Sequence, residues 1–149
     1  MDEPLKKFRK PSFKGSPILL ATGPTARLVA DSYELLRVSG ETVTLTFDRP
    51  TLLIAVKSNC DGCQLFYSSE LAEFEDVRVV LVVRDSQSII EIGETRQEIF
   101  IGTELLSDLK ITWPPFYALV ELGPTRVVTE GVAFDPIQVA REIAKFRST

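Results

Sequence analysis

The chain has 149 residues, enough for one domain with a hydrophobic core. Its 44% hydrophobic and 26% charged residues are those of a soluble globular protein, and a net charge of -4 gives no reason to expect a nucleic-acid partner. The chain contains no histidine, which excludes a Ser-His or Cys-His catalytic pair and a His-ligated metal; its two cysteines supply half of the four ligands a tetrahedral zinc site needs.

Residues 1–30 read as an irregular N-terminal arm, with Pro4, Pro11, Pro17 and Pro24 and a partly packing run at Ile18, Leu19 and Leu20. Its first 14 residues set five cations against two acids, a local +3 that reads as a solvated leader. The basic start meets Pro11-Ser12-Phe13 instead of a continuous apolar stretch, so a secretion signal is not expected. No run approaches the roughly 20 apolar residues of a membrane-spanning helix. The expectation is a cytoplasmic protein without an integral membrane segment.

The domain is expected over 31–149. Tyr33 to Val38 could be a strand or one helical turn, and Gly40 turns the chain. Thr42 to Phe47 alternates and is β-branched, which predicts a half-buried strand ended by Arg49-Pro50. Leu52 to Lys57 is apolar without alternation, as a central strand buried on both faces would be. After the cysteines, Cys63, Phe66, Tyr67, Leu71 and Phe74 fall near one helical face. Val77 to Val83 predicts a second central strand, ended by Arg84-Asp85-Ser86 where α/β proteins place sites. Residues 87–110 read as helix interrupted at Gly93 and Gly102, with Thr103 as an N-cap and Leu105, Leu106 and Leu109 inward. Trp113-Pro114-Pro115 precedes strands at Phe116–Glu121 and Arg126–Thr129, joined by a turn at Gly123-Pro124. Asp135 caps a last helix with Pro136 at its first position and Ile137, Ala140, Ile143 and Ala144 as its apolar stripe.

The chemistry points to Cys60-Asp61-Gly62-Cys63. Two thiols three residues apart can close and reopen a ring, and a helix N-terminus favours a thiolate on the first sulfur. In a reducing compartment such a pair suggests redox work more than a structural staple.

The order strand, C-x-x-C helix, strand, helix, proline, antiparallel strand pair and closing helix resembles the thioredoxin-like superfamily. The pieces that match are Cys60-Asp61-Gly62-Cys63, Pro115 before Phe116-Tyr117-Ala118-Leu119-Val120, and Gly131 before the last helix. The extra strand at Thr42 to Phe47 and the longer segment between Val83 and Pro115 look more like the TlpA-type and peroxiredoxin-like branch than minimal thioredoxin. The resemblance covers about residues 40–147 and implies an α/β fold: a central mixed β-sheet flanked by helices, with an extra N-terminal strand and arm. It implies that Cys60 is the exposed nucleophile, Cys63 the buried resolving thiol, and Pro115 a cis proline beside the sulfurs. Trp113, Pro114 and Phe116 would then bind substrate, while Asp61, Gly62 and Lys57 tune the dithiol. The expected partners are a disulfide-containing protein or small thiol and an upstream reductant, with no cofactor and no metal.

The chain departs from the family pattern at several positions. Asp61-Gly62 replaces the common Gly-Pro, and Asp61 sets a negative charge beside the thiolate, which opposes its ionisation, whereas the helix dipole and Lys57 favour it. The same acid stabilises the first turn of a helix. Asn59 stands where an aromatic is common, and Ile54 where thioredoxin keeps a buried acid. Pro114 has no N–H to offer a substrate backbone. The leading reading is a thiol–disulfide oxidoreductase, more a reductase than an oxidase. The alternative is a non-catalytic redox sensor or protein-binding module. A peroxiredoxin-type peroxidase fits less well, because Leu53 and Lys57 break the motif P-x-x-x-[TS]-x-x-C.

Overall fold

The structure, a computed structural model, describes residues 27–147 apart from 69, 70, 72, 73 and 75. The expected basic leader and the Ile18-Leu19-Leu20 run lie outside the described residues. Among the described residues, eight strands form one mixed sheet: β1 (Arg27–Leu28), β2 (Ser32–Leu36), β3 (Thr42–Thr46), β4 (Thr51–Ala55), β5 (Arg78–Val83), β6 (Glu98–Ile101), β7 (Phe116–Glu121) and β8 (Arg126–Val132). Four helices accompany them: α1 (Asp61–Tyr67), α2 (Ser86–Ile92), α3 (Thr103–Asp108) and α4 (Pro136–Arg147). The spatial order is β1-β8-β7-β4-β5-β6-β2-β3. Strand β4 runs parallel to β5 and antiparallel to β7, and β5 runs parallel to β6.

Every residue of β4 is buried. The period-two alternation of a strand divides its side chains between two cores. Leu52 and Ile54 face one core with Leu81, Val83, Tyr117 and Leu119; Leu53 and Ala55 face the other with Val80, Val82, Ala118 and Val120. The first core receives Cys63, Phe66 and Tyr67 of α1, Ile89 of α2, and Val139 and Ile143 of α4. The second receives Leu105 and Leu106 of α3 with Tyr33, Leu35 and Leu45 of the β2–β3 hairpin. Burying one such aliphatic side chain is worth about 1.5–3 kcal/mol, so a central strand covered on both faces anchors whatever is attached to its end.

Several expectations need correction. Residues 87–110 are not helix with breaks: Glu98–Ile101 is the strand β6, paired with β5 from Val80↔Glu98 to Val83↔Ile101. Ile99-Phe100-Ile101 suits a strand as well as a helix turn, and the open position beside β5 decides it. Thr103 is not the N-cap of α3; Gly102 is, and it makes no side-chain cap bond. The Thr103 hydroxyl instead donates to the Arg84 carbonyl at 2.8 Å. A Cβ at Gly102 would lie 2.8 Å from Val82 Cγ1, so close packing excludes a side chain there. Within the arm expected to be irregular, Arg27–Leu28 pair antiparallel with Val127 and Arg126. The extra N-terminal strand is in fact one half of a hairpin, since Ser32–Leu36 pairs with Thr42–Thr46. The α4 stripe consists of Val139, Ala140 and Ile143, while Ile137 is 59% exposed and Ala144 is exposed. Asp135 caps α4 as expected, accepting from Gln138 N–H at 2.8 Å.

Candidate active site

The site stands where β4 ends. Val56 N–H still donates to the Val82 carbonyl at 3.0 Å, and from Lys57 the chain leaves the sheet for solvent. Ser58 is tied to α2, its hydroxyl donating to Glu91 Oε1 at 2.6 Å; Gln87 Nε2 donates to the other oxygen of Glu91 at 2.9 Å. These bonds hold the Glu91 carboxyl below the usual range, the Ser58 hydroxyl contributing most. Asn59 takes φ 55, the left-handed region that asparagine tolerates better than most residues. That turn delivers Cys60 as the N-cap of α1, extended at φ -136 and ψ 106.

Cys60 and Cys63 are joined as a disulfide, with Cα atoms 5.2 Å apart. The Cys63 N–H points at Cys60 Sγ, 3.3 Å away, so the first backbone donors of α1 face the sulfur of Cys60. The two cysteines differ in burial: Cys60 is half-buried, whereas Cys63 is completely buried in the first core. Asp61 is exposed in the first turn. Burial, and after it the charge of Asp61, raises the Tyr67 phenol above its ordinary range. Phe66 and Tyr67 are core residues.

The peptide bond Pro114–Pro115 is cis. Pro115 lies against the dithiol loop, since a Cβ built on Gly62 would be 3.4 Å from Pro115 Cγ. The Pro115 carbonyl accepts from Ala133 N–H at 3.0 Å, which ties the turn to the approach of α4. Two residues on, the buried Tyr117 donates its hydroxyl to Glu142 of α4, and Gln138 Nε2 donates to the same carboxylate at 2.9 Å.

Beside this turn lies a groove of about 290 Å³, walled by Val56, Leu106, Ile111, Trp113 and Pro114, with Lys57 and Arg84 at its charged positions. Trp113 is 78% exposed. The structure thus brings together Cys60, Gly62, Cys63 and Pro115, and sets Lys57, Trp113 and Pro114 around the adjacent groove. Phe116, expected at the substrate, does not line that groove; it is half-buried and packs on the second core. Ile54, at the position of the family's buried acid, is completely buried in the first core with Cys63 and pairs across the sheet with Tyr117. Sequence reading placed Arg84 at the end of the sheet where sites lie, but missed the Ser58–Glu91 bond and the Arg84–Ile111 contact. The paired residues are 33 and 27 residues apart along the chain, a separation that carries no local pattern.

The parallel β4–β5–β6 unit, the antiparallel β7–β8 pair, the C-x-x-C at the start of α1 and Pro115 entering β7 decide the architecture. The fold is thioredoxin-like. Solved structures with the same architecture include the exposed lipoprotein thioredoxin Etrx1 of Streptococcus pneumoniae, 19% identical over 74% of this chain and 98% of that one, with a TM-score of 0.57. A protein of Chlorobium tepidum, provisionally named thiol:disulfide interchange protein DsbE, is 16% identical over 81% and 94%, with a TM-score of 0.62. The mitochondrial 2-Cys peroxiredoxin of Plasmodium falciparum is 12% identical over 80% and 91%, with a TM-score of 0.59. No protein-family model and no curated protein matches the sequence. Among the described residues, no helix is long and apolar enough to cross a membrane.

Proposed function

We propose that the chain catalyses thiol–disulfide exchange through Cys60 and Cys63 and works as a disulfide reductase. The observation that carries this reading is the asymmetry of the pair: Cys60 is half-buried at a helix start, and Cys63 is completely buried behind it. A charge on Cys63 would be costly in an apolar core, whereas Cys60 sits where backbone N–H groups favour an anion.

In the forward direction the Cys60 thiolate attacks one sulfur of a partner disulfide. A Cys60–partner bond forms, the partner's S–S bond breaks, and the departing thiolate takes a proton. Cys63 then loses its proton and attacks Cys60, releasing the second partner thiol and closing the intramolecular disulfide. The partner gains two electrons and two protons, and an upstream dithiol must return them to Cys60 and Cys63. The exposed charge of Asp61 beside Cys60 opposes the thiolate that the helix start and Lys57 favour; where Asp61 prevails, the reduced form is less stabilised and gives electrons away more readily.

The test is reduction of insulin disulfides driven by dithiothreitol, with wild type beside Cys60→Ser and Cys63→Ser. The expected result is acceleration by wild type, none by Cys60→Ser, and a trapped mixed disulfide with Cys63→Ser. A folded, reduced wild type no faster than buffer overturns the general-reductase reading. Ile54 and Pro114 favour the second reading, a non-catalytic redox sensor or binding module, because they remove an acid beside Cys63 and an N–H beside the substrate. That reading requires a change of shape or partner affinity on oxidation, without turnover.

A further inference from the structure

We propose that the groove beside the disulfide is a specificity subsite: Lys57 and Arg84 receive the carboxylate of an acidic residue carried by a partner polypeptide next to its disulfide. This inference rests on thiol–disulfide exchange at Cys60 and deepens it by naming the substrate class.

The charges in the groove are unbalanced in a particular way. Lys57 is three residues before Cys60 and exposed; Arg84 follows the end of β5 and is also exposed. Among the described residues neither cation makes an ion pair. Arg84 is nonetheless held in place, its Nη2 donating to the Ile111 carbonyl at 3.0 Å and its own carbonyl accepting from Thr103. That leaves a positioned guanidinium with unused N–H donors, the group that best matches a carboxylate. The one acid in the groove lining, Asp85, accepts Ser88 N–H through Oδ1 at 2.9 Å as the cap of α2 and pairs with neither cation, so the lining carries two cations to one acid. In a chain of net charge -4, a groove beside the cis-proline turn whose lining carries two cations to one acid is a local exception.

The rest of the groove fits a polypeptide. Its walls, Val56, Leu106, Ile111 and the exposed Trp113 indole, offer apolar cover for the stem of a Glu or Asp and its neighbours. Pro114 has no N–H, so a substrate backbone loses one hydrogen bond at the turn beside the sulfurs. Charge in the adjacent groove supplies a replacement that a backbone contact cannot: discrimination by the substrate's side chain.

The test uses the reduced full chain and short disulfide-bonded peptides that differ only in the residue beside the cysteine, Glu, Gln or Lys. The expected result is that the Glu peptide is reduced roughly five-fold faster than the Gln peptide at low salt and the Lys peptide slowest, with the preference shrinking as salt is added. The Glu-to-Gln ratio falls in Lys57→Gln and in Arg84→Gln, approaches one in the double variant, and is retained in Arg84→Lys. Lys57 has no partner among the described residues, so its replacement reports charge even if Arg84→Gln disturbs the Ile111 loop. Equal rates for the Glu and Gln peptides in wild type, or a preference that survives in the double variant, overturn the subsite while leaving Cys60-dependent exchange intact. If no peptide is reduced faster by wild type than by Cys60→Ser, the exchange reading falls and the subsite with it.

Discussion

Alkaline pH should destabilise this protein in part through one buried hydroxyl, that of Tyr117. Tyr117 is 1% exposed, and its phenol is pushed up to about 12, first by burial and then by the hydrogen bond it donates to Glu142. In the unfolded chain the same phenol ionises near its ordinary 10.0. A group whose folded value is raised contributes stability that is complete below the unfolded value and is lost as pH climbs to the folded one. The window for Tyr117 therefore runs from about pH 10 to about pH 12. Two pH units correspond to a ceiling of about 2.7 kcal/mol. Glu142 is half-buried and still reaches water, which screens the pair, so a loss of about 1–2 kcal/mol is expected. The assay is urea unfolding of wild type and Tyr117→Phe across that window. Ionisation of the lysines and of Tyr33, whose phenol is also pushed up to about 12 by burial and by its bond to Asp108, is common to both proteins and cancels in their difference. The variant should be less stable by about 1 kcal/mol at neutral pH, for the lost hydrogen bond, and should fall less steeply above about pH 10. Parallel decline of the two proteins would refute the reasoning.

Other substitutions test the packing of the site. Replacing Gly62 by Val drives methyl groups into Pro115, whose Cγ is already 3.4 Å from an ideal Cβ there; a strain of about 1–3 kcal/mol should appear as slower insulin reduction, with Gly62→Ala far closer to wild type. At Asn59, φ 55 makes Val costly by about 1–2 kcal/mol and Gly nearly neutral, which denaturant midpoints would distinguish; equal midpoints would rule out the left-handed turn before Cys60. Ile54→Ala should cost about 2–5 kcal/mol and Ile54→Val about 0.5–1.5, and a loss below about 1 kcal/mol for Ala would contradict the complete burial of this side chain.

What was legible in the sequence was local. The five buried residues of β4, the helical face of Cys63, Phe66 and Tyr67 and the Asp135-Pro136 start of α4 each carry their cause within a few neighbouring residues, whereas Leu71 and Phe74, expected on the same helical face, join that core from beyond the end of α1, Leu71 at φ 56. The segments misread depend on distant partners. Ile99-Phe100-Ile101 is too short to distinguish helix from strand, and its identity comes from the edge of β5, about twenty residues earlier. Arg27–Leu28 is a strand only because β8 lies alongside it, some hundred residues later in the chain. At Gly102 a close approach of Val82 and Leu35 overrode local capping: Thr103 had the right hydroxyl for an N-cap, but that hydroxyl serves Arg84. The cysteines were visible as a motif, whereas the groove beside them assembles the ends of β4 and β5, the start of α2, one turn of α3 and the loop before β7.

The two departures at Ile54 and Pro114 bear on different steps of one reaction. With Ile54 in the acid's place and Tyr117 directly across from it, the face of the sheet behind Cys63 is apolar. The tyrosines of that core, Tyr67 and Tyr117, hold their protons more firmly than usual and are poor acceptors. If the chain exchanges disulfides as proposed, the proton of Cys63 would leave on the Cys60 side, toward solvent or toward the departing sulfur of the partner, and resolution of the mixed disulfide would be coupled to how the partner sits over Cys60. Pro114 has no N–H to offer a partner's backbone, and the Trp113 indole and the cations of the groove are the neighbouring groups that could seat it instead. On that reading, a partner without a matching side chain would form the mixed disulfide and leave it unresolved for longer, and Ile54 and Pro114 would suit an enzyme that completes turnover only on selected partners.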